Sequence, residues 1–96
     1  MAKASKFDAA EYLDNPDAIA SYLSEAFETG DDQFIAQALG TVARAKGMAG
    51  VARDTGLSRE SLYRSLSSEG KPELGTAMKV LDAFDMQLVV KPKAAA

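Results

Sequence analysis

The stretch 48–67 contains five residues whose types and spacing match a helix-turn-helix: Ala52, Gly56, Leu57, Ser58 and Leu62. Ala52 is small enough for a second helix to cross close to it. Gly56, four residues later, tolerates the positive φ of a tight turn. The remaining positions supply two buried aliphatic side chains and a serine cap for the second helix. The pattern predicts a helix-turn-helix over residues 48–67.

The second helix of this motif has side chains that suit contacts with DNA. If Leu62 and Leu66 face inward, the opposite face and the start of the helix present Ser58, Arg59, Glu60, Ser61, Tyr63, Arg64 and Ser67. Arginine can bind guanine bidentately, serine can donate or accept, and glutamate can accept from cytosine. Tyr63, Lys46 and Lys71 could reach phosphates. The alternative is a helical corner that only packs, with its arginines as ordinary surface charges.

The composition argues against an enzyme. The 96 residues include no histidine and no cysteine, so the commonest general base, thiolate metal ligands and disulfides are all excluded. The acid pairs Asp31/Asp32 and Asp14/Asp17 could hold a hard cation, but each lies where a helix start favours acids for capping. We therefore expect no catalytic residue, no metal, no cofactor and no small-molecule substrate.

Charge is distributed unevenly along the chain. Residues 1–40 carry a net charge of −6, residues 41–71 carry +3, and residues 72–96 are neutral. Such asymmetry in one small domain suggests a basic face for phosphates and an acidic face for a cationic partner, although acidic helix faces are often simply solvated.

No apolar run approaches the roughly 20 residues that span a bilayer. The expected location is cytoplasmic, without a membrane partner.

The motifs require a small helical domain to position them. Hydrophobic periodicity and capping residues predict an all-α fold with five short helices and one short C-terminal β-strand. The helices are expected from the Asn15 cap to Gly30, from an Asp31 or Asp32 cap to Gly47, and over Met48–Thr55, Arg59 to about Ser67, and Thr76–Phe84. We expect one domain over 1–96, with an N-terminal arm (1–14), the helix-turn-helix (48–67), the strand (86–91) and a frayed tail (92–96).

The strand Met86–Lys91 bears on the oligomeric state. Its β-branched sequence predicts a strand, and a single strand leaves its backbone groups without partners. Pairing of Leu88, Val89 and Val90 with the same strand of a second subunit predicts a homodimer. Pairing with an N-terminal segment near Phe7 is the alternative.

Four segments of the chain resemble one protein family. They are FDAAEYLDNPDAIASYL at 7–23, GDDQFIAQALGTVARAKGM at 30–48, VARDTGLSRESLYRSLS at 51–67 and KVLDAFDMQLVV at 79–90. The chain resembles the probable addiction-module antidote proteins, short HigA-like helix-turn-helix antitoxins encoded beside a RelE/HigB-like toxin. The resemblance implies a lambda-repressor-like (Cro/C1-type) architecture, a toxin partner, operator DNA and repression of the protein's own operon.

The N-terminal arm has two interpretations. Phe7, Glu11, Tyr12 and Leu13 precede the first capped helix and form an acidic, aromatic segment. They could dock on the toxin, since a ribonuclease of the implied kind presents a basic RNA-binding surface. They could equally cap the groove between the first two helices.

Two other functions remain possible from the sequence. A stand-alone DNA-binding regulator would need no toxin partner. A helical protein-interaction adaptor would act through its acidic face alone and would show no salt-dependent DNA binding.

Overall fold

The computed structural model describes residues 12–94, and within them five helices follow one another along the chain. The first, α1, spans Pro16–Glu28 and begins at Asn15, whose side-chain oxygen accepts the N–H of Ala18 at 2.8 Å. Proline at the first helical position loses nothing there, because that N–H has no partner inside the helix. The predicted start of α1 is confirmed.

The second helix, α2, spans Asp32–Lys46 and is capped by Asp31. The Asp31 carboxylate accepts the N–H groups of Gln33 at 3.0 Å and Phe34 at 3.3 Å. The Asp31/Asp32 pair therefore serves the helix start, which is the capping role that the sequence favoured over a cation site.

The remaining helices are α3 (Met48–Thr55), α4 (Arg59–Ser65) and α5 (Leu74–Ala83). The structure ends α4 before Ser67, because Leu66 leaves the helical conformation at φ −102° and ψ 48°. It begins α5 before the predicted Thr76, because Glu73 takes an extended N-cap conformation and two further residues join the first turn.

The core lies where α2 meets the other helices. Helix α1 packs on α2, and α3 packs against α2, α4 and α5. The largest fully buried side chains come from α2, α4 and the end of α5: Leu39, Val42, Leu62, Val80 and Phe84. Helix α4, the predicted recognition helix, is thus held on the core by one face.

The predicted strand over Met86–Lys91 is wrong for the described chain: residues 12–94 contain no strand. Helix α5 ends in a Schellman motif, in which the Met86 N–H donates to the Leu81 carbonyl at 2.9 Å and the Asp85 N–H donates to the Asp82 carbonyl at 3.0 Å. Asp85 takes the left-handed position at φ +60°. The chain beyond Met86 meets no second strand, and a strand without a partner cannot satisfy its backbone.

Two glycines bring backbone segments into direct contact. A Cβ at Gly40 in α2 would meet the carbonyl oxygen of Leu66 at the end of α4. A Cβ at Gly70 would meet the carbonyl oxygens of Arg64 and Ser65. The end of α4 is therefore held tightly between α2 and the loop that leads to α5.

The lengths and hydropathy of the helices bear on whether one of them could span a membrane. No helix in the described part of the chain is both long enough and apolar enough to cross a membrane.

Candidate nucleic-acid interface

The corner between α3 and α4 has the geometry of a tight turn. Gly56 is left-handed at φ +77° and ψ 9°, and its N–H donates to the Ala52 carbonyl at 2.9 Å. The Thr55 hydroxyl donates to the Val51 carbonyl at 2.8 Å and accepts the Leu57 N–H at 3.2 Å. A β-carbon would be strained at the φ of Gly56, which confirms the reason for glycine there. The left-handed glycine and these local hydrogen bonds therefore form the turn between the two helices.

The start of α4 is fixed by its cap. The Ser58 side-chain oxygen accepts the Ser61 N–H at 3.0 Å, and Ser58 itself is exposed. Leu62 is fully buried and Leu66 is buried beside it, as the spacing predicted. These two leucines orient the helix, because they leave only its opposite face accessible.

The accessible face of α4 carries most of the predicted DNA-contacting side chains. Arg59, Glu60 and Arg64 are exposed, and Tyr63 is 51% exposed. Ser61 is half-buried and lies at the edge of this face. We call these five residues, with the exposed Ser58, the α4 polar face.

The end of α4 brings three further predicted residues together. Arg64, Ser67 and Lys71 line one open depression on the surface, along with Glu69. The Ser67 hydroxyl donates to the Arg64 carbonyl at 3.2 Å, which ties the loop to the helix end. Lys71 therefore lies beside the α4 polar face although it is outside the helix.

Lys46 is placed elsewhere. It lies at the end of α2 and lines a small pocket with residues of the α1 start and the α5 end, among them Asp14, Phe84 and Asp85. The structure does not group Lys46 with the α4 depression. Its prediction as a phosphate contact stays a prediction, and its neighbours include two carboxylates.

The cations of the interface are available for an external anion. Across the described residues, the ion pair within 4.0 Å is Arg53–Asp54 at 3.8 Å, and both of its side chains are well exposed. Arg59 and Arg64 therefore have no carboxylate partner in this part of the molecule. An exposed arginine without a partner is free to meet a phosphate or a base edge.

Two further observations concern the metal-ligating and buried polar side chains of the described chain. Residues 12–94 hold no group of three or more His, Cys, Asp or Glu that could bind a metal ion. All buried side-chain polar atoms among them have hydrogen-bond partners.

Only two of the four predicted toxin-contacting residues, Tyr12 and Leu13, lie within the described range. Phe7 and Glu11 lie outside the described residues. Tyr12 is 62% exposed, whereas Leu13 is buried at 7% in the core beside α1 and α5. Leu13 is thus packed in the core and Tyr12 is accessible, and both interpretations of this segment stay predictions.

Sequence reasoning missed Gly40 and Gly70, which position the end of α4. A glycine inside an otherwise helical pattern is the feature that could have found Gly40, since such a residue costs helix stability and usually has a packing reason. Gly70 lies among other turn-forming residues, where one more glycine is not distinctive.

Comparisons with known proteins agree with the resemblance read from the sequence. Residues 3–92 match the family described as "Probable addiction module antidote protein". An uncharacterized protein of Haemophilus influenzae (strain ATCC 51907 / DSM 11121 / KW20 / Rd) is 44% identical over 85 residues, which is 88% of each chain. No solved structure matches the chain significantly.

Proposed function

The chain belongs to the family of probable addiction module antidote proteins, and we propose that it neutralises a RelE/HigB-like ribonuclease toxin and represses its own operon. An antidote of an addiction module has a toxin partner in general. The toxin class, the HigA-like subtype, the lambda-repressor-like architecture and the DNA-binding role are the specific content of the proposal.

The α4 polar face is the observation that supports DNA binding in this proposal. A short helix after a left-handed glycine turn is held by Leu62 and its Ser58 cap. Its exposed side chains include two arginines without carboxylate partners in the described chain. Such a helix can enter the major groove with arginines at base edges, while Lys71 meets the backbone.

The size of this face favours a homodimer on DNA. Helix α4 has seven residues, and single recognition modules bury only about 600–1,000 Å² of protein surface. Two copies related by a two-fold axis would double the contact and read an inverted repeat, with half-sites about 34–36 Å apart or a multiple of this distance.

The acidic N-terminal part supports a second, separate partner. The described range carries six carboxylates between Asp14 and Asp32 and no lysine or arginine before Arg44. Such a region is repelled by DNA and attracted by a basic RNA-binding surface. We place the toxin on this side, with Tyr12 as the accessible aromatic contact and with Phe7 and Glu11 of the arm as further contacts.

Fluorescence anisotropy tests the DNA-binding part. DNA from just upstream of the gene is titrated with the chain at several salt concentrations, with and without the product of the neighbouring gene. We expect the logarithm of the association constant to fall linearly with the logarithm of the salt concentration. Each phosphate contact should contribute about 0.9 to the magnitude of this slope. Lys71→Ala should reduce the slope by about 1 and leave sequence preference unchanged.

The same titration separates the alternatives. A protein-interaction adaptor would bind the neighbouring gene product and show no salt-dependent DNA binding. A stand-alone regulator would bind the DNA without any interaction with that product. Either result would reject the corresponding half of the proposal.

A further inference from the structure

The corner between α1 and α2, residues 25–34, is held in a defined shape by local hydrogen bonds. The Thr29 hydroxyl donates to the Ala26 carbonyl at 2.7 Å and accepts the Asp31 N–H at 3.1 Å. Between them the chain reverses through Gly30, which is left-handed at φ +68°. Three residues separate the two helices, so the last turn of α1 and the first turn of α2 form one preorganised surface. We call this surface the α1–α2 corner.

The carboxylates at the end of α1 are unfavourable where they lie. Glu25 and Glu28 are exposed and belong to the last turn of α1, which has no basic residue. The C-terminal end of a helix carries partial negative charge, so carboxylates there lower its stability. The two are also three residues apart, where like charges repel. No lysine or arginine of the described chain lies within 4.0 Å of either carboxylate. Within residues 12–94, this pair of charges is therefore uncompensated.

The acids on the α2 side of the corner have a local role. Asp31 caps α2, and Asp32 lies in its first turn, where the helix dipole favours an acid. Their charges still add to those at the end of α1. Residues 25–34 contain four carboxylates and no lysine or arginine. The corner therefore has a single sign of charge, which attracts a cationic partner and repels DNA.

An exposed aromatic ring lies in the same corner. Phe34 is 46% exposed, whereas Phe27 of α1 is half-buried and packs against the core. The Phe34 N–H donates to the Asp31 carboxylate at 3.3 Å, so the residue follows directly on the cap. The face of an aromatic ring attracts a cation, and arginine stacks on it while its N–H groups bind carboxylates. Ring and acids together therefore suit one kind of side chain, an arginine.

We infer that the α1–α2 corner binds an arginine-bearing basic surface of the toxin, with an arginine stacked on Phe34 among the carboxylates. This inference rests on the toxin partner in the proposed function and adds a second contact to it. Helix α1 has 13 residues, so the corner lies about 20 Å along the helix from its start near Tyr12. Binding also relieves the repulsion between Glu25 and Glu28.

The carboxylates are tested with the double variant Glu25→Gln with Glu28→Gln, because stability and binding should change in opposite directions. Loss of the unfavourable charges should raise Tm by at least about 2 °C. Isothermal titration calorimetry with the product of the neighbouring gene should show weaker binding, most clearly at low ionic strength. Asp82→Asn is the matched control, since Asp82 is an exposed carboxylate in the last turn of α5. It should raise Tm and leave the affinity unchanged.

The aromatic contact is tested with Phe34→Ala in the same calorimetry. Removal of an aromatic anchor should weaken binding at least about tenfold. Phe34→Tyr keeps the ring and should keep the affinity. Met78→Ala is the matched control, because Met78 on α5 has the same exposed fraction of 46%. Circular dichroism of each variant checks that the helices are retained.

A second readout needs no toxin. Backbone amide chemical shifts of the full chain are followed by NMR during titration with a hexa-arginine peptide. The largest changes should fall within residues 25–34, and they should be lost in the double variant Glu25→Gln with Glu28→Gln. Largest changes at Asp14 and Asp17 would overturn the inference. Tighter binding of the peptide to Lys3→Ala with Lys6→Ala would overturn it too, because the chain's own N-terminal arm would then be the occupant.

The two readouts separate this inference from the proposed function. Equal affinities of the parent and Phe34→Ala for the neighbouring gene product would overturn the inference and leave the toxin partner in place. A parent that does not bind that product would reject the toxin partner. The peptide titration would then decide by itself whether the α1–α2 corner binds arginine.

Discussion

Replacing Gly40 with alanine tests a close backbone approach between α2 and the end of α4. Gly40 lies inside α2, and an added Cβ would overlap the carbonyl oxygen of Leu66 and lie 3.2 Å from its carbonyl carbon. Both atoms are backbone, so no side-chain rotation relieves the overlap. The end of α4 must move away from α2 if the alanine is to fit.

The expected cost is the balance of two terms. Overpacking a close contact costs about 1–3 kcal/mol, and a backbone overlap belongs at the upper end. Alanine regains about 1 kcal/mol of helix propensity over glycine. The net loss is about 2 kcal/mol in the free energy of unfolding. For a domain of this size, 1 kcal/mol shifts Tm by about 4–8 °C, so Gly40→Ala should lower Tm by about 8–16 °C.

Thermal unfolding followed by circular dichroism measures this, with Gly75→Ala as the matched control. Gly75 is also helical, in α5, and a Cβ there would meet nothing within 4 Å. The control should be neutral or up to about 1 kcal/mol more stable. A Gly40→Ala protein as stable as the control would refute the close approach of α2 and α4.

Three further predictions concern α4 and the end of α5. Arg59→Ala and Arg64→Ala should each remove about 1–3 kcal/mol of base discrimination in an anisotropy series with mutated operators, without a change in Tm. The control is Lys79→Ala, at an exposed lysine of α5. Unchanged affinity in both arginine variants would reject the role of the α4 polar face in DNA binding. Ser58→Ala should cost about 1 kcal/mol in urea unfolding through loss of the α4 cap; an unchanged midpoint would show that the cap contributes nothing. Asp85→Gly should add up to about 1 kcal/mol in the same assay, because glycine adopts the left-handed conformation without strain; a loss of stability would show that the aspartate side chain holds the turn.

Much of the local structure could be read from the sequence, because helix starts and tight turns depend on residues within four positions of each other. Asn15 with Pro16, Asp31 and Ser58 are caps whose hydrogen bonds reach two or three residues along the chain. Gly56 needs only its own missing Cβ to adopt a positive φ. The five helices and the sides of α4 follow from such features together with the spacing of apolar residues.

Other properties depended on contacts between distant parts of the chain. The approach of α2 to the end of α4 at Gly40, the burial of Leu13 and the separation of Lys46 from the α4 depression each depend on how the helices pack. The strand prediction failed for the same physical reason. A helix satisfies its backbone within itself, so its sequence is enough to form it, whereas residues 86–91 become a strand only when a second strand lies beside them.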